Sequence, residues 1–130
     1  MAELMRLKIP NNWTVSDNKF YDVDPIFDNE GHITNWHEGF CEDVLWIQES
    51  KFIDGKYISP DNNCIDIDIS YLTGQYVARL KYTSKTESHE VDTLESTDRI
   101  KIRDKIENWL KDINENYKTF KDKMQTLYPD

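Results

Sequence analysis

The chain has little of what phosphate loops, disulfide frameworks and membrane spans are made from. Only four of its 130 residues are Gly and four are Pro, so it is neither fibrous nor low-complexity. The scattered glycines form no phosphate-cradling loop and no nucleophile elbow. Cysteine occurs twice, as Cys41 and Cys64, and without an export signal the pair reads as two reduced thiols. The longest apolar run, Val44 to Ile47, is far too short to cross a bilayer. The first ten residues carry charges inside their apolar stretch and lack a small-residue cleavage site, so they do not read as a signal peptide. The expectation is a cytoplasmic protein.

What is present points to a packed core. Seven Tyr, five Phe and four Trp supply the large side chains that disordered chains lack. The length suits one domain over residues 1–130, mainly strands and loops to residue 96 and an amphipathic helix over 97–127.

Charge is unevenly spread. The net charge is −9, but Asp17 to Asp68 alone holds 13 carboxylates against Lys19, Lys51 and Lys56. Thr97 to Leu127 has eight Lys and Arg against six Asp and Glu. An acidic first half repels nucleic acid and anionic membranes, whose binders need clustered cations. It attracts a basic protein partner and speeds the encounter at low salt.

From Ile102 the apolar residues recur in steps of three and four, through Ile106, Trp109, Ile113, Tyr117, Phe120, Met124 and Leu127. Ser96, Thr97 and Asp98 all suit an N-cap, Pro129 ends the helix, and Asn114 to Asn116 is its weak point. The segment reads as one long helix or two collinear ones, and a helix this long can overrun a small sheet over Phe120 to Leu127, an overhang that would then need a partner or a second copy. Cys64 to Ser70 and Tyr76 to Tyr82 alternate with period two around Thr73-Gly74. Counting outward pairs Ile65 with Tyr82, Ile67 with Leu80 and Ile69 with Ala78, and sets Asp66 against Lys81 and Asp68 against Arg79. Val44 to Gln48 reads as a strand buried on both faces, and Asp54-Gly55 as a tight turn placing Phe52 opposite Tyr57. Asn12 to Asp24 alternates loosely through Trp13, Val15 and Phe20. The predicted fold is α+β, an antiparallel sheet of about four to six strands with a long C-terminal helix packed on one face.

No constellation predicts catalysis or a cofactor. His37 and Cys41 lie four apart, but His32 and His89 complete no zinc spacing, so no metal is predicted. Asp22, Asp24, Asp28 and Glu30 lack the loop pattern of a calcium site. Asp66 and Asp68 share a strand face, as acid/base carboxylates must, yet each has a basic neighbour across the strand. A small hydrolase using Asp66, Asp68 or His37 is the enzymatic alternative. A structural or adaptor subunit dimerising through the C-terminal helix is the third reading.

The segments Asn12 to Pro25, Glu42 to Trp46, Ile65 to Tyr71 and Gly74 to Tyr76 together resemble bacterial immunity proteins of contact-dependent growth inhibition and other polymorphic toxin systems. Ser70-Tyr71-Leu72 stands where that pattern has Trp-Tyr-Pro. The resemblance implies a small α+β protein that binds and neutralises one cognate toxin domain. An inhibitor of a basic domain, such as a nuclease, would be acidic with a few aromatic anchors. The candidate docking residues are Asp22, Asp24, Asp28, Glu30, Trp36, Glu38, Glu42 and Asp43, with Trp36 as the anchor.

Overall fold

The computed structural model describes residues 2–129. Seven strands come first: β1 Trp13–Asn18, β2 Leu45–Glu49, β3 Lys51–Ile53, β4 Lys56–Ile58, β5 Cys64–Leu72, β6 Gln75–Thr83 and β7 Ser88–Ser96. Two helices follow, α1 Arg99–Glu115 and α2 Tyr117–Leu127. The fold is α+β, with a five-stranded antiparallel sheet in the order β1-β2-β5-β6-β7 and a separate two-stranded sheet of β3 and β4. No helix among the described residues is long and apolar enough to cross a membrane.

The central hairpin follows from its turn. Thr73 and Gly74 both have positive φ, 51° and 85°, the two-residue geometry whose twist matches that of the flanking strands. The predicted register is observed at every pair from Ile65↔Tyr82 to Tyr71↔Tyr76. The Asp54-Gly55 turn likewise places Phe52 opposite Tyr57. That second hairpin buries none of its apolar side chains: Phe52, Ile53, Tyr57 and Ile58 are all exposed, with the Phe52 and Tyr57 rings 5.0 Å apart.

Asp98 caps α1, its carboxylate accepting hydrogen bonds from the N–H groups of Ile100 and Lys101. Ile102, Ile106, Trp109, Leu110 and Ile113 then share one buried cluster with Ile65, Ile67, Ile69, Ala78 and Leu80. Both helices therefore lie on the same face of the sheet. The helix breaks at Asn116 (φ −129°, ψ 36°), whose side-chain amide donates to the Asp112 carbonyl. Asparagine competes for backbone partners in this way, which is why the weak point lies there.

The break falls in the stretch read as the weak point, and it removes the overhang. Redirected, α2 buries Met124 and packs Phe120 against the core, leaving Leu127 exposed at its end. Tyr117 and Lys121 reach back to Glu49, which is only 3% exposed. The Glu49 carboxylate accepts from the Tyr117 hydroxyl (2.6 Å), the Ile65 N–H (2.8 Å) and the Lys121 ammonium, which also contacts the Asn63 carbonyl. A buried carboxylate needs such full pairing.

A second correction concerns β2. Val44, Leu45 and Ile47 are buried, but Trp46 points to the opposite face and is 42% exposed. The strand is thus buried on one face only, facing Ile69 and Ile67 of β5 with Leu45 and Ile47.

Between β1 and β2 a long connection closes one end of the sheet. Phe40 is buried there, edge-on to Tyr71 with centroids 5.1 Å apart. Gly39 permits the approach: its φ is 102°, and a Cβ would sit 2.4 Å from the Lys19 carbonyl oxygen.

Candidate functional site

The face without helices holds a shallow concavity of about 580 Å³ lined by Asp17, Glu42, Asp43, Trp46, Asp66, Asp68, Ser70, Arg79 and Lys81 among others. Strand alternation puts these side chains there. Once Leu45 and Ile47 face the core, Trp46 must face out, and once Ile65, Ile67 and Ile69 face in, Asp66 and Asp68 must face out. Trp46 has Asp17 as its neighbour across β1 and Asp68 as its neighbour across β5.

The two aspartates of β5 differ in their partners. The sequence sets Lys81 against Asp66, and the register agrees, but the ion pair is diagonal. Lys81 Nζ lies 2.7 Å from Asp68 Oδ2, and Arg79 Nη1 lies 3.4 Å from Asp68 Oδ1. Asp68 thus holds both cations. Asp66 has instead the Trp46 indole, whose Nε1–H donates to Oδ2 at 3.3 Å. Its Oδ1 is buried without a partner, one of two such side-chain atoms among the described residues, with the Tyr76 hydroxyl. Burial pushes the Asp66 carboxyl above its ordinary value, and the indole and the Lys81 charge only partly offset that.

The predicted docking residues do not form one cluster. Asp22 and Asp24 are both taken by Arg99, at 2.8 and 2.5 Å. Asp28 turns its own loop, accepting from the Glu30 and His32 N–H groups, and His32 lies 3.7 Å from both Asp28 and Glu30. Glu38 accepts from the Asn35 amide at 3.2 Å. Trp36 is 60% exposed, and Ile26 and Phe27 of the same connection are exposed too. Of the eight, Glu42 and Asp43 reach the concavity. Sequence reading missed Trp46 and Asp17 there. The uniformly apolar run Val44 to Ile47 hid Trp46, because alternation turns it outward only once Leu45 and Ile47 are known to face the core.

The charge balance of the concavity favours a cation over an anion. Five carboxylates line it against two cations, and both cations are spent on Asp68. Asp66 Oδ1 is closed off from solvent, while Oδ2 accepts the indole N–H and, like any carboxylate oxygen, can take a second donor. Among the described residues no three His, Cys, Asp or Glu side chains are grouped to hold a metal ion. Cys41 and Cys64 are free thiols. The Cys64 thiol is pushed up to about 12 by burial and by the Glu49 and Asp66 charges, so it is protonated at neutral pH.

Comparisons with models of known protein families, with characterised proteins and with solved structures return no match.

Proposed function

We propose that the chain is an immunity protein, a binding module that neutralises a basic bacterial toxin domain by seating it on an acidic surface running from the Asp22–Asp43 connection to the rim of the open sheet face. The observation that carries this reading is the exposure of Ile26, Phe27 and Trp36 in a segment whose acids Asp28, Glu30, Glu42 and Asp43 form no ion pair with a lysine or arginine among the described residues. Large exposed apolar groups in a segment rich in uncompensated charge are the composition of a docking surface, with aromatic anchors giving affinity and charge giving rate and register. Asp22 and Asp24 contribute differently, fixing the connection to the start of α1 through Arg99. The resemblance to toxin-neutralising proteins supplies the class of partner.

The test starts with a tagged chain used to capture its partner from the native host at low salt. Affinity for the captured domain is then measured for wild type and for the charge reversal Asp28→Lys, Glu30→Lys, Glu42→Lys and Asp43→Lys combined. Reversal is expected to weaken binding by at least about tenfold and to flatten its salt dependence. Unchanged affinity and salt slope would remove the docking assignment. A captured domain that is not a toxin would remove the immunity reading.

A further inference from the structure

Two tryptophans of this protein donate their indole N–H to an aspartate, and only one of the two pairs is complete. On the helix side Trp109 Nε1 donates to Asp92 Oδ2 at 3.0 Å. Lys105 finishes that pair, with Nζ 3.2 Å from the same oxygen and 5.5 Å from the centre of the Trp109 ring. Indole, carboxylate and cation thus satisfy one another, and Trp109 is 6% exposed. On the open face Trp46 donates to Asp66 in the same way, but the nearest cation, Lys81, is held by Asp68. The ring is left 42% exposed, and Asp66 Oδ2 has the indole as its donor where Asp92 Oδ2 has both indole and ammonium. Asp17, across the strand boundary from Trp46, has only Lys19 at 3.9 Å, and both side chains are well exposed.

The geometry points to the open sheet face as the seat of one arginine of a basic protein partner, its guanidinium on Trp46 between Asp17 and Asp66, completing the outer pair as Lys105 completes the inner one. The inference deepens the docking reading above and rests on it for the identity of the partner. Charge complementarity selects the occupant, because an uncovered sheet face whose two cations are already spent repels nucleic acid and anionic lipid and favours a cation. Arginine suits it better than lysine. Its flat, weakly hydrated guanidinium stacks on an aromatic ring while its edge donates to carboxylates, whereas an ammonium is a compact, strongly hydrated point charge.

The seat can be tested without the partner. The full chain, labelled with nitrogen-15, has four Trp indole signals, and Trp46→Phe and Trp36→Phe identify the two most exposed. The probes are capped tetra-arginine and tetra-lysine peptides, titrated at matched ionic strength. The Trp46 signal is expected to move most and to saturate, with tetra-arginine binding about fivefold tighter than tetra-lysine. Asp66→Asn, which keeps an acceptor for the indole, should weaken that response about fivefold while the variant's unfolding transition stays cooperative. A Trp46 signal that responds equally to both peptides, or to sodium chloride alone, would overturn the arginine seat. So would a response centred on Trp36, which would put the cation on the acidic connection. Either of these, with the charge-reversal result intact, would remove this seat and leave the immunity reading standing.

Discussion

The two faces of the five-stranded sheet are built from the same strands and meet opposite demands. On the covered face Ile65, Ile67 and Ile69 alternate with the outward aspartates and pack against α1, and the Glu49 carboxylate that intrudes there is fully partnered, while the Tyr76 hydroxyl is buried without a partner. On the open face the charges are crowded and unevenly paired, and a tryptophan stands in the middle. A face arranged for stability pairs its buried charge within the chain. A face that leaves acids without cations beside a partly exposed ring is open to a complement from outside the chain.

The sharpest way to test that contrast is to truncate one side chain on each face. Ile67→Ala removes a fully buried group and is expected to cost about 4 kcal/mol, read as a shift in the denaturant midpoint. Trp46→Ala is expected to cost under about 1 kcal/mol, since its ring is already 42% exposed. Equal losses would mean that Trp46 is part of the core and that the open face is not free.

Next in size is the clamp between β2 and α2. Lys121→Met strips the cation from buried Glu49 and is expected to cost about 3 kcal/mol. Adding Glu49→Gln should recover part of that loss, because the uncompensated charge goes with it. A double variant as unstable as the single one would show that packing, not charge, holds α2 in place.

The smallest effects separate the two aspartates and have opposite signs. Burial pushes the Asp92 carboxyl up, but the Trp109 indole, Lys105 and the Thr93 N–H outweigh it and hold the carboxyl below its ordinary value of 3.8. Its stabilisation is present above that value and is lost as pH falls through the lowered folded-state value. Asp92→Asn is therefore expected to destabilise at neutral pH and to do nothing in strong acid. Asp66 is raised, so its ionisation opposes folding: the cost is absent below 3.8 and grows as pH rises through the raised folded-state value. Asp66→Asn should stabilise at neutral pH, the gain vanishing in acid. Both differences are expected within about 1 kcal/mol, because solvent screens partly exposed charges. Stability measured against pH for the two variants checks the pair, and curves of the same sign would erase the distinction between the faces.

Much of this fold was legible locally. The turn at Thr73-Gly74 and the period-two alternation fixed nine residue pairs from short-range information alone. A cap within Ser96 to Asp98 and a break within Asn114 to Asn116 were legible for the same reason, although the sequence did not single out Asp98 or Asn116. What depended on distant contacts was not. Placing β2 between β1 and β5 joins residues that only the finished sheet brings together. The capture of Asp22 and Asp24 by Arg99 spans 77 and 75 residues, so an apparently free acidic run lost two members. Val44 to Ile47 is uniformly apolar, and hydrophobicity alone does not say that Trp46 leaves the core while its neighbours enter it. The diagonal choice of Lys81 is a matter of side-chain reach, which register does not determine.

The Glu49–Lys121 contact also has a meaning in time. The carboxylate is made 72 residues before the ammonium that neutralises it. While the chain is being synthesised, β2 can join the sheet only with an unpaired charge beneath it or with Glu49 still in water. Closing that end of the sheet therefore waits for the final helix, and a ribosome stalled before Lys121 would display an unfinished domain for proteases to remove.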